Sequence, residues 1–415
     1  MLKNLRLKNV GPASEMELEL APRLNIITGD NGLGKSFLLD VAWWALTETW
    51  ARGMVLPHYA TDETSQIAYC FREDISPLTY ASEFERRSED WSPSLIAHPL
   101  PGLILYAQVD GGFSVRDSER NHARKELPSI FSFRPEEVWE GNAFCEGLIR
   151  NWVSWQSDNG DAFRLLEDVL QVLSPSPDEP LRSGRRRRIS VDDPKDYPTI
   201  KMPYNQEVAV IHASAGLRRI IALAYLLVWT WQEHLLACEL RRTAPAKDIV
   251  FLFDEVEAHL HPQWQRRILP ALFAVMAKLT GEHAVNVQMI AATHSPLALA
   301  SLETFFDSEQ DAWFDIDLVR DKRKVVIERR GFIRKGTAGR WLTSEAFDLL
   351  SEGRSLEGEQ AIAKAEALLD RRNNGATLTK EEIEGVDAGL RQTLPDIDRF
   401  WVRWRSFVDE GGWLQ

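Results

Sequence analysis

Residues 25–40 read "NIITGDNGLGKSFLLD". An apolar run leads into a loop with three glycines in six positions, then a lysine, a serine and a second apolar run. Leu24, Ile26 and Ile27 make a short strand with β-branched residues. Phe37, Leu38, Leu39, Val41, Ala42 and Trp43 supply the apolar residues of a helix packed against a sheet. Between them, Gly29-Asp30-Asn31-Gly32-Leu33-Gly34-Lys35-Ser36 fits G-x-x-x-x-G-K-[ST]. In a strand–loop–helix setting the glycines let backbone N–H groups curve around phosphate oxygens, and the helix N-terminus adds a favourable partial charge. Lys35 then reaches the β/γ-phosphates, and the Ser36 hydroxyl a Mg²⁺ ion. A glycine turn that merely caps a helix needs neither residue.

The 415 residues exceed one average domain but suit one large α/β unit with insertions. A hydrophobic share of 44% and fifteen tryptophans imply a sizeable core and argue against disorder. With a net charge of −13, the surface as a whole does not gather nucleic acid by bulk electrostatics; such binding needs a local basic patch. Cys70, Cys145 and Cys238 are too scattered for a disulfide framework, which points to a reducing cytoplasm. "MLKNLRLKNV" alternates like a strand and not like a cleavable signal. The most apolar run, Ile220 to Trp231, is shorter than a bilayer span and reads as a buried helix, so no membrane is expected.

Strands are expected at residues 1–10, in "MELEL", before the phosphate loop, and at 64–73 and 102–116, the last with a turn at Asp110-Gly111-Gly112. Helical periodicity runs from about 135 to 173, followed by a Pro/Ser/Arg-rich loop at 174–188. Helix returns after Gly216, strand at "DIVFLF", helix from about Pro262, and strand at "QMIAAT". A hairpin turning at Asp321-Lys322 is expected next, and helices alone after about 345.

Three later stretches carry chemistry. In "DIVFLFDEVEAHLHP", Ile249 to Phe253 read as a buried parallel strand whose carboxyl end presents Asp254, where open α/β sheets place ligands. There Asp254 is suited to Mg²⁺ opposite Ser36, and Glu255 to orienting an attacking water. In "AATHSP", His294 follows a strand beside these acids and is placed to touch a γ-phosphate. In "IHASAGLRRIIALAYLL", Ser214 and Gly216 open an apolar helix whose N-terminus offers free N–H groups. They are either a plain cap or a second phosphate site serving another subunit.

The order "GDNGLGKS", "ASAGLRRI", "FLFDEVEAHLHP", "ATHSP" resembles the soluble branch of ABC-type ATPases: RecF, the SMC and Rad50 heads, and the OLD-like and Septu-like ATPases of bacterial antiphage defence. The resemblance covers the chain to about residue 300. It implies an α/β fold, an ABC-type P-loop head with a mixed central sheet, an antiparallel β lobe, an inserted helical lobe and a helical C-terminal tail. The ATPase domain is placed at 1–345, with the helical lobe at about 118–245, and the tail at 346–415. By the same resemblance, Gly29 to Ser36, with Phe37 following, form the Walker A loop around ATP. Lys35 is its catalytic lysine, Asp254 the Walker B acid that binds Mg²⁺ with Ser36, Glu255 the catalytic glutamate and His294 the switch histidine. Glu257-Ala258-His259 fall in the D-loop. Ser214 and Gly216 form the signature motif that completes the site of the opposite protomer. The usual "LSGGQ" is "ASAGL" here, with Ala215 in place of a glycine. Gln66 and Gln108 both remain candidates for the Q-loop. His259-x-His261 lacks the Cys or carboxylate partners of a zinc site.

Within the branch, the chain has no span for a transporter, no extended heptads for a long-armed SMC, and no Toprim-like acidic context at Asp315-Ile316-Asp317 or Asp396-Ile397-Asp398. The resemblance therefore implies an ATP-hydrolysing homodimer, or a higher even-numbered oligomer, that regulates a separately encoded effector in prokaryotic defence. The alternative is a RecF-like clamp on DNA, for which Arg185 to Arg188 are the densest basic run. In the tail, Ile383, Val386 and Leu390 share one helix face, and Trp401, Trp404 and Phe407 another. These faces are expected to pack on the ATPase body or to dock the effector.

Overall fold

The computed structural model describes residues 1–58, 64–72, 79–92, 102–121, 130–281, 283–319, 321, 323–347, 349, 351–411 and 413. The chain divides into two compact units, Met1–Gly336 and Thr337–Gln415.

The first unit is built on an eight-stranded mixed sheet. Its order is Lys324–Arg330, Asp311–Val319, Leu24–Gly29, Asn286–Ala292, Asp248–Phe253, Leu103–Ala107, Phe113–Asp117, Phe131–Phe133. The five strands from Asp311–Val319 to Leu103–Ala107 are mutually parallel, and the flanking pairs are antiparallel. Asp248–Phe253 lies between two parallel neighbours and is buried along its whole length, which is why Ile249 to Phe253 form an unbroken apolar run. The hairpin expected around 321 is the antiparallel pair Asp311–Val319 and Lys324–Arg330; Lys322 of its turn lies outside the described residues.

A second, antiparallel sheet has the order Ala13–Glu19, Leu2–Val10, Gln66–Phe71, Tyr80–Glu85, Asp90–Trp91. The helix Lys35–Thr47 is packed between the two sheets. One core joins its Leu38, Leu39 and Trp43 to Leu5, Leu7 and Met16 of the antiparallel sheet and to Leu252 and Ile290 of the mixed one. Helices covered on both sides are apolar all round, and ten residues of this one are buried. The phosphate loop is thereby anchored to both layers. An insertion follows Phe133. It holds the helices Pro135–Glu140, Leu148–Asp158 and Asp161–Val172, two short ladders, and the long helix Ala215–Arg241. That last helix is long and apolar enough to cross a bilayer, but Ile220, Ile221 and Leu223 to Trp231 are buried within the protein.

The mixed sheet, antiparallel lobe, helix-rich insertion and helical C-terminal unit together make the α/β, ABC-type head architecture that the motifs imply. In the C-terminal unit the tail departs from expectation. Leu369, Ile383, Leu390, Trp401 and Trp404 form a core of their own, so the apolar faces of Leu356–Asn373, Lys380–Thr393 and Phe400–Gly411 cover one another. Trp404 is fully buried, and its indole N–H donates to Asp387 Oδ1 at 2.9 Å.

A candidate nucleotide site at the strand ends

The loop between strand Leu24–Gly29 and helix Lys35–Thr47 is shaped by its glycines. Gly29 has φ 136°, and a Cβ there would lie 2.2 Å from the Ile316 carbonyl oxygen. Gly34, the N-cap, has φ 104°, and no side chain caps the helix, so its first turn keeps N–H groups for an anion. Leu33 is buried in the core, and the Phe37 ring packs against that core beside Gly11. These two residues therefore face a ligand through their main chain alone. Asp30, Asn31 and Gly32 are exposed.

Lys35 is only 5% exposed. Its Nζ donates to the carbonyls of Gly29 and Asp30 at 2.8 and 2.9 Å, which folds it over the loop. Burial pulls its pKa below the ordinary lysine value, while Glu255, Asp30, Glu257 and Asp254 act in the opposite direction.

Sheet register brings the remaining groups to this loop. Asp254 N–H donates to Ala107 O, Thr293 N–H to Ile27 O, and Val256 N–H to Ala292 O, so each chain leaves the sheet beside its neighbour. Ser36 Oγ donates to Asp254 Oδ1 at 2.9 Å across 218 positions. Asp254 is 0% exposed, and its Oδ2 has no hydrogen-bond partner among the described residues; the nearest cation is Arg52 Nη1 at 3.4 Å. Burial raises its pKa, against the hydrogen bond from Ser36 and the charge of Arg52. A buried, unsatisfied carboxylate oxygen beside a serine hydroxyl is a hard-oxygen donor set that fits Mg²⁺. No cluster of three or more His, Cys, Asp or Glu suited to a metal occurs among the described residues, and His261 instead caps the helix Pro262–Gln265.

Glu255 follows with φ 47°, and its Oε1 is 3.7 Å from His294 Nε2. Burial lowers the pKa of His294, helped by Lys35, so the ring is neutral at neutral pH. Lys35, Ser36, Asp254, Glu255 and His294 thus converge. Ser214 and Gly216 are placed differently. Ser214 is exposed at the N-cap of Ala215–Arg241, where its side chain accepts from Leu217 N–H. Gly216 packs on the segment after Glu255: a Cβ there would be 2.5 Å from the His259 carbonyl oxygen. Of the two glutamines, Gln66 lies in the antiparallel sheet and donates to Glu83. Gln108 follows the strand beside Asp254 and donates to Ser114.

Residues 24–300 match the family described as "AAA domain, putative AbiEii toxin, Type IV TA system". The chain belongs to this family. The matched span contains the loop from Gly29 to Phe37, together with Ser214, Gly216, Asp254, Glu255 and His294. Among curated proteins, the chain is 23% identical over 311 residues to the Septu protein PtuA of Bacillus thuringiensis, covering 71% of this chain and 72% of the relative. Among solved structures it is similar to the SMC head domain from Thermotoga maritima (15% identity, 80% and 99% of the two chains, TM-score 0.38). It is also similar to the recombination mediator protein RecF of the RecFOR pathway, solved as RecF-ATPrS (13% identity, 80% and 98%, TM-score 0.37).

The AAA domain also has groups that the sequence reading missed. Arg52 pairs with Asp40 through two hydrogen bonds of 2.9 and 2.8 Å and bonds the Tyr106 hydroxyl at 2.9 Å, behind Asp254. Glu257, expected from the resemblance only as part of the D-loop, holds the Thr293 hydroxyl and the His294 N–H. Asp40 had a legible signal, being a charge four residues after Ser36 in an otherwise apolar helix. Arg52 lies beyond that helix and had none.

Proposed function

We propose that this AAA-domain protein binds and hydrolyses ATP with Mg²⁺, dimerises around the nucleotide, and regulates a separately encoded effector in antiphage defence in the cytoplasm. The observation that carries the reading is the convergence of Lys35, Ser36, Asp254, Glu255 and His294 at the carboxyl ends of three parallel strands. The loop from Gly29 to Phe37 would cradle the phosphates through its N–H groups, with Lys35 turned from its carbonyls onto the β/γ-oxygens. Ser36 and Asp254 would hold Mg²⁺, which supplies charge neutralisation at the transferring phosphoryl group. Glu255 would orient the attacking water, and neutral His294 would offer the γ-phosphate a hydrogen bond. Gln108, at the end of the strand beside Asp254, is the better placed of the two glutamines for the Q-loop. Ser214, exposed at a helix N-terminus, would close on the nucleotide of a second subunit. The PtuA similarity supports the defence role and the partner.

Phosphate release with and without Mg²⁺, together with ATP-dependent dimerisation of Glu255→Gln by light scattering, tests this. Turnover that is unaffected by the substitution in a protein that stays monomeric refutes it. A second reading, a clamp on duplex DNA, is favoured by the exposed Arg185 to Arg188, with Arg185, Arg187 and Lys201 lining one polar groove. Loss of DNA-stimulated turnover on replacing the four arginines with alanine would select it.

A further inference from the structure

Arg219 is charged, yet it lies early in one of the most apolar helices of the chain, five residues after Ser214. Its side chain reaches out of that helix to three main-chain oxygens. Nη1 donates to Val109 O at 2.6 Å, and Nη2 to Asp254 O at 3.3 Å and Glu255 O at 3.2 Å. These carbonyls follow two adjacent parallel strands, so one guanidinium ties the helix to the peptide units that carry both acids. One of those residues, Glu255, has a left-handed backbone that non-glycine residues seldom adopt. The fork of Arg219 is thus fastened where the chain is most in need of restraint. A planar guanidinium reaches these carbonyls from two nitrogens held in a fixed fork, where a lysine ammonium offers a single point on a flexible stem. Gly216 supplies a second attachment, touching the His259 backbone where any larger residue would collide.

We propose that Arg219 is a positioning residue that couples the two nucleotide sites of a dimer. This rests on the reading that Ser214 closes on the nucleotide of the partner. Ser214 and Arg219 are then the two ends of one rigid lever a helical turn and a half long. The tip meets the neighbour's γ-phosphate, and the root holds the backbone beneath the subunit's own Glu255. Movement of the tip on nucleotide engagement shifts Glu255 in the other site, so hydrolysis rises cooperatively with ATP.

Phosphate release is measured across ATP concentrations for the wild type, Arg219→Ala and Arg219→Lys, beside equilibrium binding of a fluorescent ATP analogue. The wild type is expected to show a Hill coefficient above one, bounded by the number of sites at about two. Arg219→Ala is expected to lower kcat by about tenfold or more, bring the coefficient to about one, and change analogue affinity by less than about twofold. Arg219→Lys is expected to recover part of the rate without the cooperativity. If Arg219→Ala fails to melt cooperatively, Arg219→Gln, which keeps length and N–H donors, takes its place. A wild-type coefficient of one, or variants that keep the wild-type coefficient, overturn the coupling. A wild type that binds the analogue but releases no phosphate overturns the ATPase reading instead.

Discussion

Glu257 and Thr293 meet across two neighbouring strand ends, where the Thr293 hydroxyl donates to Glu257 Oε2 at 2.7 Å. The other carboxylate oxygen accepts the His294 N–H. One acid therefore fixes the backbone on which the histidine is mounted. Burial raises the Glu257 pKa, opposed by these same hydrogen bonds. Glu257→Ala leaves a hydroxyl and an N–H without their partner, which costs about 1–3 kcal/mol of stability. Thermal unfolding should show that loss, and kcat should fall further than ATP affinity. A variant with unchanged melting and turnover would show that the acid positions nothing.

His294 gives the site a pH dependence of definite sign. Its folded pKa is lowered, first by burial and then by Lys35, so between that value and the ordinary value of about 6.5 the unfolded chain holds a proton that the folded chain does not. The contribution is fully present above 6.5 and is lost as pH falls toward the folded value. Melting temperatures from about pH 8 down to pH 5.5 should drop more for the wild type than for His294→Gln. Parallel curves would contradict the assignment.

Ser36 and Asp254 are expected to separate nucleotide binding from metal use. Asp254→Asn keeps the shape but removes the charge, so a fluorescent ATP analogue should bind about as well as to wild type without Mg²⁺. The added affinity that Mg²⁺ brings should shrink by about tenfold or more. Titrating Mg²⁺ against analogue fluorescence checks this without relying on turnover.

Arg52 and Asp40 form a partly buried pair, with side chains 26% and 15% exposed. Arg52→Ala strands Asp40 and removes the cation beside Asp254. The cost should approach, without exceeding, the about 3–5 kcal/mol seen when fully buried pairs are broken. Asp40→Ala in the same chain should recover part of it. Chemical denaturation of both single variants and the double variant measures the coupling, and strict additivity would refute it.

Local elements were legible because their signals are local. Three glycines, a lysine and a serine between two apolar runs announce strand, loop and helix. Five apolar residues before Asp254 announce a strand buried on both faces. The tail helices were legible from their periodicity, but what covers them was not: an apolar face records that it is buried, not by what, and here Ile383, Leu390 and Trp404 share one core.

The sequence by itself determined which side chains are present, in what order, and on which kind of element, since helix and strand periodicity and glycine conformation act over a few residues. Only the tertiary structure decided which of them meet. Parallel register joined Ser36 to Asp254 over 218 positions, set Arg52 behind that acid, and laid Arg219 across the carbonyls of Asp254 and Glu255. Those contacts depend on how strands align and helices cross, and burial raises their energetic weight without marking the sequence that carries them.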